Sequence, residues 1–148
     1  MNPYNRRTSH AFTLIEILIA VTILGIIMAV ALPSYRAHLV KQSRSAAQSE
    51  LIELASMQEK IYLNSNAYTT SLSGNYTGVS TGGLGRTTSK SNDGKYDLAL
   101  VNATAQSYTM TATPVAGSSQ ASDGTITLNS NGTRTCSTSL KWCPKGIW

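Results

Sequence analysis

The sequence predicts an α+β chain in which one long N-terminal helix packs on an antiparallel sheet of three to four strands, and three observations carry that reading. Residues 12–32, FTLIEILIAVTILGIIMAVAL, form a 21-residue run that is apolar except for Thr13, Thr22 and Glu16. That run is long enough to cross a bilayer as a helix. Residues 34–63 hold no glycine or proline, and they place Leu51, Leu54, Gln58 and Ile61 at helical spacing with Ile52, Ala55 and Tyr62 beside them. Beyond residue 95, three short runs alternate apolar and polar side chains between turn residues.

The helix is expected over Phe12–Leu63, its first half spanning the membrane and its second half laying an apolar stripe on the sheet. Pro33 removes one backbone hydrogen bond, and Gly25 weakens the stretch before it, so a helix break is expected there. Residues 64–95 are rich in Asn, Ser, Thr and Gly, with Gly82, Gly83 and Gly85 interrupting any regular element. A loop of that length is usually functional or hides a short element. Residues 96–101 put Tyr96, Leu98 and Leu100 on one face, and residues 107–113 do the same for Tyr108, Met110 and Ala112 before ending at Pro114. Residues 125–129 alternate and enter the turn Ser130-Asn131-Gly132. The spacers suit a meander through residue 135, and residues 136–148 form a loop and tail around Cys136 and Cys143.

Composition narrows the function. Charged residues are only 13% of the chain, which suits an exported β-rich domain better than a cytosolic helical one. Catalysis has little support: His10 and His38 are the only histidines, and neither has a nucleophile or orienting acid in a usable arrangement. Asn92-Asp93-Gly94 with Asp97 lacks the spacing and terminal Glu of an EF-hand and reads as a turn. The cysteines are too far apart for a CxxC redox pair, and no nearby histidine favours zinc. No cofactor or metal is expected.

Glu16 is the feature that needs a cause. An acid inside a membrane span costs roughly 2.5–3.5 kcal/mol at the helix centre and less near an end. A signal peptide has a shorter apolar core followed by a small-residue cleavage site. Here Ala11 precedes the run, and Val30-Ala31-Leu32-Pro33 fits such a site poorly. A plain single-span anchor leaves Glu16 unexplained.

Ala11-Phe12-Thr13-Leu14-Ile15-Glu16, after an 11-residue leader with Arg6, Arg7 and no acid, resembles the processing site of type IV prepilins. The apolar stretch, Gly25 and Pro33 also fall where that family has them. The resemblance implies removal of residues 1–11 by a prepilin peptidase between Ala11 and Phe12, then N-methylation of Phe12. The family's usual residue before the cut is glycine, where this chain has Ala11. The new amine and Glu16 lie about 6 Å apart along a helix, one turn. In such proteins the acid is thought to meet the amine of a neighbouring subunit and set register during fibre assembly. Gly25 and Pro33 flank a stretch that partly melts in resembling filaments.

The same resemblance implies the pilin fold: residues 12–33 as the transmembrane and fibre-core helix and residues 34–148 as the globular part. It further implies an inner-membrane precursor, an assembly platform, other pilin subunits as partners, and an extracellular pilus as destination. In a domain that faces the periplasm and then the outside, a Cys136–Cys143 disulfide is expected. Closing so short a loop contributes about 2–3 kcal/mol on the chain-entropy model. The runs TMTATPV and TITLNSNGTRT with the Cys-Trp tail look most like PilE-type minor pilins. A major pilin and a type II secretion pseudopilin are the related alternatives.

Losing the leader leaves ten basic against seven acidic residues, too mild a balance to establish a nucleic-acid partner by itself. Two surfaces are candidates for DNA. The tail carries Arg134, Lys141, Trp142 and Lys145 with no acid after Asp123, and the loop carries Arg86, Lys90 and Lys95. Cations interleaved with indoles suit phosphate contact and base stacking, and some pilins of competent bacteria bind DNA for uptake. The alternative is that the lysines solvate a rim while Trp142 packs under the disulfide. The sequence therefore implies a structural pilus subunit, with a DNA-binding pilin as the rival reading.

Overall fold

The computed structural model describes residues 12–137, 142–143 and 146–148; Ala11, Lys141 and Lys145 lie outside them. The chain divides between His38 and Leu39 into two compact units. Helix α1 (Leu14–Ser65, 52 residues) supplies nearly all of the described part of the first unit and continues into the second. Its start is set locally. Thr13 caps it, with the Glu16 amide donating to Thr13 Oγ1 at 3.3 Å, and Thr13-x-x-Glu16 is the sequence of a capping box. Gly25 and Pro33 both lie inside this one long helix, as the expectation of a single helix through residue 63 requires. Proline removes a single N–H, and the bonds of the turns on either side carry a cooperative helix across that gap.

In the second unit four strands follow α1 and pair antiparallel in chain order: β1 (Tyr96–Val101), β2 (Thr109–Pro114), β3 (Ile126–Asn129) and β4 (Arg134–Cys136). The register aligns Leu98, Ala112, Ile126 and Cys136 in one row across all four, and every one is buried. Beside it Leu100, Met110 and Leu128 form a second apolar row that ends at exposed Arg134. Against these rows α1 buries Ala47, Leu51, Leu54, Gln58 and Ile61, the stripe that its spacing predicts. The core therefore sits between one helix face and one sheet face.

Gln58 is the polar member of that stripe and is fully buried. Its amide meets the backbone of Thr69 twice, Nε2 donating to the carbonyl at 2.9 Å and Oε1 accepting from the N–H at 3.0 Å. Both amide atoms find a partner, which removes the penalty of burying them. The segment between α1 and β1 starts from this anchor and is held by backbone bonds. Gly83 N–H donates to Asn75 O at 3.0 Å, Gly85 N–H to Gly74 O at 2.9 Å and Leu84 N–H to Ser71 O at 3.2 Å, while Leu84 plugs the core. The end of the segment lies along β1, with Ser91 N–H on Tyr96 O and Leu98 N–H on Ser89 O. On the far strand, Cys136 N–H donates to Gly146 O at 3.1 Å.

Gly83 is there for closeness. A Cβ at this position would overlap the Ser73 carbonyl oxygen and crowd that of Gly74, both backbone atoms without freedom to swing away. Gly83→Ala is expected to cost about 1–3 kcal/mol of stability and to expose the loop to protease. Urea unfolding with limited proteolysis of the same sample checks both; an unchanged midpoint and cleavage pattern would refute the packing argument.

Candidate functional site

The first unit is an apolar surface without a partner among the described residues. Phe12, Leu14, Ile15, Ile17, Leu18 and Ile19 are exposed, as are the large apolar side chains that follow through Leu32. Its helix is long and apolar enough to cross a membrane. Thr22 hides its polarity by donating to Leu18 O at 2.7 Å. Glu16 has no such outlet: no cation pairs with it among the described residues. A charge on a surface buried in lipid or protein needs a counter-charge, and none of the described residues supplies one.

The candidate basic residues fall into two groups. Arg134 is exposed on β4, its Cζ 5.2 Å from the centroid of the half-buried Trp148 ring. Trp148 Nε1 donates to Thr127 O at 3.1 Å. Lys90 is half exposed and makes a 3.2 Å pair with the equally open Asp97, a bond that water and salt screen to near nothing. These two cations remain available to a ligand.

The other described candidates already have internal work. Arg86 lies 3.1 Å from Glu50 Oε2, a carboxylate that is 7% exposed, and also donates to Lys90 O. Glu50 Oε1 accepts the Asn92 N–H at 2.9 Å, so this pair ties the loop to α1. Lys95 Nζ donates to Ser43 Oγ at 2.9 Å. Neighbouring Asp93 shapes the turn that aims it: burial pushes its carboxyl up, but hydrogen bonds from Ser91 and the Lys95 N–H, with the Lys95 charge, bring it below the usual aspartate value. Trp142 is half-buried, donates Nε1 to Asp123 O at 3.1 Å and carries the Arg44 guanidinium 3.9 Å above its ring.

Arg44 is the residue that sequence reasoning missed. It forks onto Asp123, with Nε 3.1 Å from Oδ1 and 2.9 Å from Oδ2 and with Nη2 closing the bidentate pair. Asp123 is 3% exposed and also accepts the Tyr96 hydroxyl. Burial, then the bond to Asp123, pushes the Tyr96 phenol far up. The one available signal was that no acid stands three or four residues from Arg44 on the helix. A second anion-centred cluster has Glu59 accepting from Tyr68 at 3.1 Å and Tyr108 at 3.3 Å. Tyr68 stacks on Tyr62 and meets Tyr108 edge-on, and burial followed by Glu59 raises the Tyr68 and Tyr108 phenols.

Cys136 and Cys143 are joined in a disulfide, and Cys143 is fully buried. The bridge fixes Trp142, one residue before it, close to the sheet. No group of three or more metal-ligating side chains exists among the described residues.

Two family patterns match the chain. Residues 6–32 match the prokaryotic N-terminal methylation motif. Residues 33–138, well over half of the chain, match the family described as type IV minor pilin ComP, DNA uptake sequence receptor. Among curated proteins no relative matches. The second match takes in Arg86, Lys90, Lys95 and Arg134 and stops before Trp142. A long apolar N-terminal helix, a four-stranded antiparallel sheet and a C-terminal disulfide are the type IV pilin fold, and the match selects the minor subunits over the major pilins and pseudopilins. Such a chain is anchored by its helix and associates with other subunits of the pilus. The chain is a type IV minor pilin and belongs to the ComP family.

Proposed function

We propose that this minor pilin is a DNA-receiving subunit of a competence pilus, taking up DNA through the outer surface of its globular part. The observation that carries the reading is the family match across residues 33–138, whose description is a DNA uptake sequence receptor. Exposed Arg134 beside Trp148, half-exposed Lys90, and the absence of acids after Asp123 support it. Before it reaches the fibre, the chain is inserted in the inner membrane, cut between Ala11 and Phe12 by a prepilin peptidase and methylated on Phe12, as the N-terminal motif suggests. An inner-membrane platform then adds it to the growing pilus, with residues 12–32 inward and the disulfide-closed domain outward.

The test is retention of duplex DNA by the mature chain in detergent micelles, measured against salt. Phosphate contacts release counterions, so log K should fall linearly with log salt, by about 0.9 per phosphate neutralised. Arg134→Gln should flatten that slope by about one contact and weaken binding across sequences. No retention at low salt would refute the DNA reading and leave a purely structural minor pilin.

A further inference from the structure

The C-terminal tail is bracketed by two cation–π pairs of opposite character. Arg134 over Trp148 is open, at 5.2 Å. Arg44 over Trp142 is closed: 3.9 Å apart, with the arginine side chain 12% exposed and its fork spent on an aspartate that is 3% exposed. Between them the tail is tied by the disulfide and by the bond from Cys136 N–H to Gly146 O. Trp142 therefore has its ring face under a guanidinium and its N–H on Asp123 O, which leaves little of it for a nucleobase to stack on.

We propose that Arg44 is a positioning residue, the latch that holds Trp142 and the adjoining disulfide on the helix, and that through Cys143 and Gly146 it steers the chain end that brings Trp148 to Arg134 on β4. The significance of that placement for DNA rests on the receptor reading above. Three features single out Arg44. It comes from α1, so it links Trp142 to the helix that carries one side of the core. It joins Asp123 and Trp142 at once, which a point charge cannot do with one planar group. Asp123 in turn is fixed by Tyr96 on β1, so the latch has a hydrogen-bonded base. Gln120 closes the same segment on the helix one turn earlier, its Nε2 donating to Val40 O at 2.8 Å, which keeps Asp123 in reach.

Arg44→Lys separates the latch from the ion pair. Lysine keeps the charge opposite Asp123 but has no plane to lie on an indole. The chain has two tryptophans, so Trp148→Phe makes Trp142 the sole reporter. In that background, in detergent micelles, Arg44→Lys should shift Trp142 emission to the red and raise its quenching by acrylamide severalfold, with helix and sheet content unchanged. With Trp148 intact, Arg44→Lys should bind DNA about threefold to tenfold more weakly than wild type at equal net charge, the worth of one cation–π contact displaced at Arg134 and Trp148. Trp142 remaining as shielded as in the parent would overturn the latch. An exposed Trp142 with undiminished DNA retention would overturn the link to the interface. If the wild-type chain retains no DNA, the receptor reading fails, while the Trp142 signal still decides the latch. Should Arg44→Lys not fold, Trp142→Leu removes the ring while leaving Arg44 on Asp123. Hydrogen exchange should then rise at residues 146–148, and unchanged protection there would overturn the proposal.

Discussion

Glu16→Gln should leave pili almost devoid of this subunit although the helix that carries it still forms. The prepilin resemblance gives Glu16 a charge-pairing role beside its place at the helix start, and glutamine preserves only the second. Glu16 is the third helical residue after Thr13, the acid position of a capping box, and its amide donates to Thr13 Oγ1. Gln serves that position as well as Glu does. The favourable interaction of an acid with the helix N-terminus is worth only about 0.3–1 kcal/mol. What glutamine cannot do is neutralise the amine that the proposed cleavage would create on Phe12. Once the span is packed into a fibre, stranding one partner of a buried charge pair costs about 3–5 kcal/mol, or a hundredfold and more in incorporation. Mass spectrometry on sheared fibres, counting peptides that begin with methylated Phe12, reads the loss directly. Circular dichroism in micelles should show unchanged helix. Normal incorporation of the glutamine variant would mean that Glu16 is a cap and nothing more.

The largest effect on stability is expected from Asp123→Ala. Asp123 neutralises Arg44 and accepts the Tyr96 hydroxyl, and both Tyr96 and the aspartate are almost wholly out of water. Alanine leaves a guanidinium that is 12% exposed without a counter-ion and a buried phenol without an acceptor. Losses of this kind run to about 3–5 kcal/mol. Asp97→Ala is the control, because its pair with Lys90 is half exposed on both sides and is worth about 0–1 kcal/mol. Urea unfolding of the globular unit, followed by tryptophan fluorescence, compares the two. A difference under about 1 kcal/mol between them would show that the Arg44 network adds little to the fold.

Much of this architecture could be read from periodicity, and what could not has a common cause. The stripe Leu51, Leu54, Gln58 and Ile61 is buried as its spacing implies, and the three alternating runs became β1, with its expected ends, and β2 and β3, with shifts of one or two residues. The fourth strand that the expected range of three to four allowed could not be placed, because three residues, Arg134 to Cys136, are too few to show a period. The loop escaped because its order comes from backbone bonds such as Gly83 to Asn75 and from Gln58 reaching Thr69, which no local pattern encodes. The basic residues illustrate the same limit. Arg86 and Arg134 look equivalent in sequence, yet one is bound to a buried Glu50 and the other faces solvent. Arg44 and its aspartate are 79 residues apart, so their union is a product of the tertiary fold alone.

The outer strands of the sheet have a bearing on how the subunit is stored. An uncovered strand edge offers a row of N–H and C=O groups to any neighbour. Here Ser89 and Ser91 take up such groups along β1, and Gly146 does so on β4. Subunits anchored in one membrane plane meet often, and open edges would let them pair strand to strand. With these edges blunted, the sticky element each molecule presents is its helix. Association can then run through the helix without that competing contact.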